Sequence, residues 1–110
     1  MSLIEIGKSV LSSCMDVKAG ESVLVITDDR KLEIGNALYR AAKELGAEAL
    51  LLTMEPRKVS GEEPPAVVAA AMLAADVILC PMSTSITHTK AKIAAVQAGA
   101  RIATMPGISE

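Results

Sequence analysis

Aromatic side chains are almost missing from this sequence. Tyr39 is the single one, with no Phe and no Trp. That excludes a stacking platform for bases, and with it the usual single-strand nucleic-acid module. Histidine is as scarce: His88 stands alone. The two cysteines, Cys14 and Cys80, lie far apart and form no CxxC or other metal-ligand spacing. One histidine without a cysteine cluster excludes the common transition-metal sites and leaves only a carboxylate site open. Cysteine usage and the lack of a signal-peptide pattern predict a reducing, cytoplasmic setting, with each cysteine a small buried apolar residue. There is no excess of positive charge. Lys plus Arg is 11 against 13 for Asp plus Glu, a formal net charge of −2. Neither a nucleic acid nor an anionic membrane is an expected partner. No apolar run approaches the ~18 residues of a membrane span.

What is present is aliphatic. Apolar residues make up 51% of 110, enough to build one domain around a core of Ala, Val, Ile, Leu and Met. Such small side chains suit close packing of helices on a sheet. Leu3, Ile6, Val10 and Cys14 recur at helical steps and predict a helix from about Leu3 to Asp16. Ser22 to Thr27 is a β-branched apolar run, the mark of a strand buried on both faces. Thr27-Asp-Asp-Arg-Lys31 is a polar loop in which Asp28 or Asp29 is placed to cap the next helix. In that helix Ile34, Ala37, Leu38, Ala41, Ala42 and Leu45 form one stripe, and Gly46 sits where a left-handed C-terminal cap belongs.

Ala47 to Met54 reads as a second strand, followed by a loop rich in proline and charge from Glu55 to Pro65. Pro64 and Pro65 open a third helix to about Ala75, and Val77 to Cys80 is a short third strand. Pro81 to Thr89 is the longest hydroxyl-rich loop; a helix from about Thr89 to Ala98 ends at Gly99, and Arg101 to Thr104 is a fourth strand. Helices alternating with strands predict an α/β fold: a three-layer, Rossmann-like or flavodoxin-like parallel sheet of about four strands with helices on both faces. Crossovers are expected to be right-handed; the favoured strand order is 2-1-3-4, with 3-2-1-4 second. Either order places a ligand crevice at the carboxyl ends of the strands, near the switch point. In the favoured order Thr27, Asp28 and Asp29 flank it on one side and Ser83 to Thr89 on the other.

The fourth strand runs at once into Met105-Pro-Gly-Ile-Ser-Glu110. Pro-Gly leads into a turn, and a four-stranded sheet leaves an apolar edge poorly covered. Residues 1–110 are therefore expected to form a single α/β domain, the N-terminal one of a longer two-domain protein. The alternative is a small free-standing domain.

The candidate ligand loop is Ser83, Thr84, Ser85, Thr87, His88 and Thr89. Free N–H groups and the positive dipole end of a helix attract anions there, and hydroxyls add donors, so a phosphate or carboxylate pocket is one reading. The plainer one is that Ser85 or Thr87 caps the helix while the others face water. His88 is either a base or ligand, or a structural donor to a nearby carbonyl. Ser83 or Ser85 with His88 and Asp28, Asp29 or Asp76 has the residue types of a nucleophilic triad, but GxSxG is lacking. Asp28-Asp29 has the look of the Mg²⁺ pocket of a receiver domain; such a domain needs an aspartate ending the third strand, where Cys80 stands. No GxGxxG and no GxxxxGK[ST] occurs.

Several stretches taken together resemble one family. They are Lys18-Ala-Gly-Glu-Ser-Val-Leu-Val-Ile-Thr-Asp28, Ala41-Ala-Lys-Glu-Leu-Gly-Ala47, Glu63-Pro-Pro65 and Ala75-Asp-Val77. The most specific are Ser85-Ile-Thr-His-Thr-Lys-Ala-Lys92 and Ala98-Gly-Ala-Arg-Ile-Ala-Thr-Met-Pro-Gly107. The likeness, from about Val10 to Ser109, is to the N-terminal domain of the thermophilic-type metalloaminopeptidases of peptidase family M29, leucyl aminopeptidase-like enzymes. Their relatives include a non-haem-iron dihydroxypyridine dioxygenase. The resemblance implies a cytoplasmic, dimeric two-domain enzyme. Its C-terminal domain holds two divalent ions (Zn, Co or Mg) that activate water against a peptide substrate. It implies no catalytic residue and no metal ligand in this chain. The domain's work would be to pack on its own C-terminal catalytic domain and shape the cleft.

Overall fold

The structure, a computed structural model, describes residues 3–55, 63–82 and 89–104. Its elements are α1 (Leu3–Ser9) running into a π-helical turn (Val10–Cys14), β1 (Ser22–Asp28), α2 (Leu32–Glu44), β2 (Glu48–Met54), α3 (Ala66–Ala74), β3 (Val77–Cys80), α4 (Lys90–Gln97) and β4 (Arg101–Thr104). The four strands form one parallel sheet in the order β2-β1-β3-β4. That is the favoured order, and the α/β class holds.

β1 is central because it can bury both faces. Leu24 and Ile26 enter a core with Val68 and Met72 of α3, Ile78 and Cys80 of β3, and Ala91 and Ala95 of α4. Val23 and Val25 enter the opposite core with Leu11, Ile34, Leu38, Ala41, Val77 and Leu79. Period-two alternation in β1 and β3 thus feeds two helical layers, α3/α4 and α1/α2. β2 pairs with β1 along its whole length, Ser22 opposite Glu48 through Asp28 opposite Met54, and is an edge strand.

Two predicted helix ends are where expected. Gly46 takes φ +85° and Gly99 φ +104°, values that cost other residues energy but not glycine. The first helix differs from expectation. It does not continue as one α-helix to Asp16: the π turn intervenes, and Asp16 takes φ 50° beyond it. A π turn inserts a residue into the helical phase, and the described side chains buried along this line are Leu11 and Met15. The side chains of Leu3, Ile6, Val10 and Cys14, which carried the predicted stripe, lie outside the described residues. Gly7 explains how closely α1 lies on α2: a Cβ there would stand 3.1 Å from the Ala41 Cβ.

The amino ends of the strands are tied by a polar lattice. Ser22 N–H donates to the Asp76 carboxylate at 2.9 Å, Asp76 N–H to Ser22 O, and Arg101 N–H to Asp76 O. Arg101 also ion-pairs with Glu21, whose carboxylate accepts the Lys18 N–H at 2.9 Å. These donors hold the Glu21 carboxyl below its usual range, the Lys18 N–H first and the Arg101 side chain next. No helix among the described residues is long and apolar enough to cross a membrane.

Candidate functional site

The strand order reverses direction between β1 and β3, so the crevice of an open α/β sheet falls at their carboxyl ends. β1 delivers Thr27 and Asp28 there, both fully buried, with Asp29 exposed just beyond. The Thr27 hydroxyl lies 2.9 Å from the Lys31 carbonyl and 2.9 Å from the Pro81 carbonyl, able to donate to either. It therefore links the end of β1 to the residue that follows β3. Behind it, a Cβ on Gly35 would stand 2.7 Å from the Thr27 Cβ, so only glycine lets α2 sit this close to the strand end.

Neither aspartate caps α2 as expected. The N-cap is Lys31, with no side-chain capping bond. Asp28 is still in the ladder, opposite Met54, and its carboxylate accepts the N–H groups of Arg30 (3.0 Å) and Lys31 (3.2 Å). It closes an Asx turn ahead of the helix.

Thr89 has a definite role. Fully buried, it is the N-cap of α4, and its Oγ1 accepts the Lys92 N–H at 3.2 Å. The cap expected at Ser85 or Thr87 is thus two or four residues too early. The α4 N-terminus holds a second partner that the sequence did not announce. Glu63 accepts the N–H of Lys90 at 2.7 Å through Oε2 and that of Ala91 at 3.2 Å through Oε1. The chain thus supplies its own anion to the helix dipole from 27 residues upstream. A contact of that span has no local signature, since Glu63-Pro-Pro reads only as the lead into α3.

Ser83, Thr84, Ser85, Thr87 and His88 lie outside the described residues, as does the triad in which Ser83, Ser85 and His88 would take part. Asp76 cannot complete such a triad at the crevice, for it precedes β3 and binds Ser22 at the amino end of the sheet. Cys80, where a receiver domain would need its aspartate, is buried, and burial pushes its thiol up to about 12. Among the described residues no three His, Cys, Asp or Glu side chains are grouped to hold a metal ion.

No family model and no curated protein matches the sequence. Solved structures do. 2,5-Dihydroxypyridine dioxygenase from Pseudomonas putida superposes with a TM-score of 0.75 at 19% identity, over 94% of this chain and 33% of its own. AmpT from Thermus thermophilus superposes with a TM-score of 0.63 at 13% identity, over 97% of this chain and 36% of its own. At these identities the likeness is one of fold. The chain spans about a third of each protein it matches.

Proposed function

We propose that this chain is the non-catalytic α/β domain of a larger metal-dependent enzyme of the leucyl aminopeptidase type. One observation carries the reading: nearly all of this fold superposes on a third of AmpT, an M29 aminopeptidase, and on a third of a dihydroxypyridine dioxygenase. In such an enzyme the metal, zinc, cobalt or magnesium, and the chemistry on a peptide substrate belong to the remaining part of the protein. This domain packs on that part and helps shape its cleft, in a cytoplasmic and homodimeric enzyme. The dioxygenase branch is the second reading, favoured by the higher TM-score of 0.75 against 0.63.

A free-standing anion or nucleotide module has less support. The first N–H groups of α4 already bind Glu63 and Thr89, so an incoming anion has to displace a carboxylate.

The test begins with the intact mass of the protein as its source cell makes it. A mass well above 11.4 kDa is expected. That protein should hydrolyse a leucine chromogenic amide when given Co²⁺, Zn²⁺ or Mg²⁺. Turnover of a dihydroxypyridine with Fe²⁺ instead selects the dioxygenase branch. Residues 1–110 alone should turn over neither substrate; metal-dependent turnover by them sinks the proposal. Calorimetric titration with phosphate and AMP addresses the module. Tight binding lost in Ser85→Ala plus Thr87→Ala favours it.

A further inference from the structure

The two helical layers differ on their outer sides. On α2, Arg40, Lys43 and Glu44 face solvent; Lys43 lies 5.3 Å from the Tyr39 ring centroid and Glu44 pairs with Lys8 at 3.5 Å. That is an ordinary wet surface. α3 reads Ala-Val-Val-Ala-Ala-Ala-Met-Leu-Ala, without one polar side chain. It buries only Val68 and Met72 and leaves Val67 77% and Leu73 51% exposed. Leu50 of β2 lies on the same side of the sheet as Leu52 and Met54 and is 49% exposed. Beside it runs an apolar groove of about 260 Å³ between Leu24, Leu50, Ala71 and Ala75. Ile93 and Val96 of α4 add to the same layer. Of the exposed large apolar side chains among the described residues, only Leu32 lies elsewhere.

A helix apolar on every side is normally enclosed, and a contiguous apolar patch marks an interface. Absence of charge is the composition of the centre of a permanent interface rather than a transient one. We propose that the outer face of α3, with Leu50 and the groove beside it, is where a further part of the same polypeptide packs, through an uncharged apolar surface of its own. The inference rests on the reading that this chain is one domain of a larger enzyme, and it names the face that joins the two. The choice of occupant follows from length and charge. About two thirds of each similar protein lies outside the match. Covering the α2 side desolvates Arg40, Lys43 and Glu44, whereas covering α3 and the groove beside it removes mainly apolar surface from water.

The test uses the protein as its source cell makes it, weighed intact and carrying Val67→Cys, Leu73→Cys or Arg40→Cys in turn. Maleimide labelling at 67 and 73 is expected to be at least tenfold slower than at 40, in a protein much heavier than 11.4 kDa. Equal rates in a protein of that larger mass overturn the docking face and leave the domain reading standing. A mass of 11.4 kDa overturns the domain reading and the docking face with it. Protection that disappears on dilution, with a native mass twice that of the chain, assigns the face to a second copy and also overturns the proposal. Buried Cys80 reports folding, since it labels only in a chain that has opened. For any variant failing that check, amide exchange in α3 of the unsubstituted protein, compared with α2, makes the same comparison.

Discussion

Gly35 lies against Thr27 so closely that a methyl group on it would stand 2.7 Å from both the Thr27 Cβ and Cγ2. This contact seats α2 on the end of β1 at the switch point. Elsewhere in a helix, glycine to alanine gains up to about 1 kcal/mol. Here Gly35→Ala should lose about 1–3 kcal/mol through overpacking of a fully buried site. Urea unfolding monitored by far-UV circular dichroism reads the loss. Thr27→Ser, which removes Cγ2 and keeps the hydroxyl, should recover part of it in the double variant. A Gly35→Ala protein as stable as the parent refutes the close approach.

Glu63 caps α4 from a distance. Glu63→Ala should cost about 0.5–2 kcal/mol, the range for losing a helix cap. Glu63→Gln should cost less, because it keeps one of the two acceptor oxygens and loses the other bond and the charge facing the dipole. The amides of Lys90 and Ala91 should then exchange faster with solvent, while those of β1 do not change. Unaltered exchange at both residues would remove Glu63 from the cap.

Glu21 makes stability sensitive to acid. Its folded carboxyl titrates below the ordinary value of about 4.3, because the Lys18 N–H and the Arg101 side chain favour the charged form. The unfolded chain therefore binds the proton first. The stabilisation is present above about pH 4.3 and is lost as pH falls through the lower folded value. Urea midpoints measured from pH 6 down to pH 3 should fall more steeply in the parent than in Glu21→Gln. Parallel curves would contradict the assignment.

Cys80 should be inert in the folded protein. Its thiol is pushed up to about 12 by burial, against about 8.5 in an unfolded chain. Folding holds the proton on, so stability is complete below about pH 8.5 and declines as pH rises from there toward 12. At pH 8, maleimide should modify Cys80 no faster than the chain opens, and at once in denaturant. Rapid labelling of the folded chain would place Cys80 at the surface.

That Thr27 and Asp28 stand at the carboxyl end of β1 was legible in the sequence; their hydrogen-bond partners were not. Thr27 and Asp28 are at the strand end where the apolar run predicts them, yet Asp28 serves an Asx turn and Thr27 joins the Pro81 carbonyl. Thr89 turned out to be the cap of α4 rather than Ser85 or Thr87, because the helix begins at Lys90. Each difference concerns which of several neighbouring polar groups meets a given N–H, and that depends on where another element lies.

What the sequence by itself determined is what hydrophobic periodicity and chain chirality control. Continuous β-branched runs dictated β1 and β3, glycine dictated the ends of α2 and α4, and alternation of helices with strands dictated a parallel sheet, narrowed to two strand orders of which β2-β1-β3-β4 is the one formed. These are local or handedness constraints, written in consecutive residues. Only the tertiary structure decided the π turn in the first helix, the seat of Gly35 on Thr27, the reach of Glu63 to α4 and the apolar outer face of α3. The last three rest on how distant parts of the chain lie against one another. Their energies depend on distances that residue order does not encode.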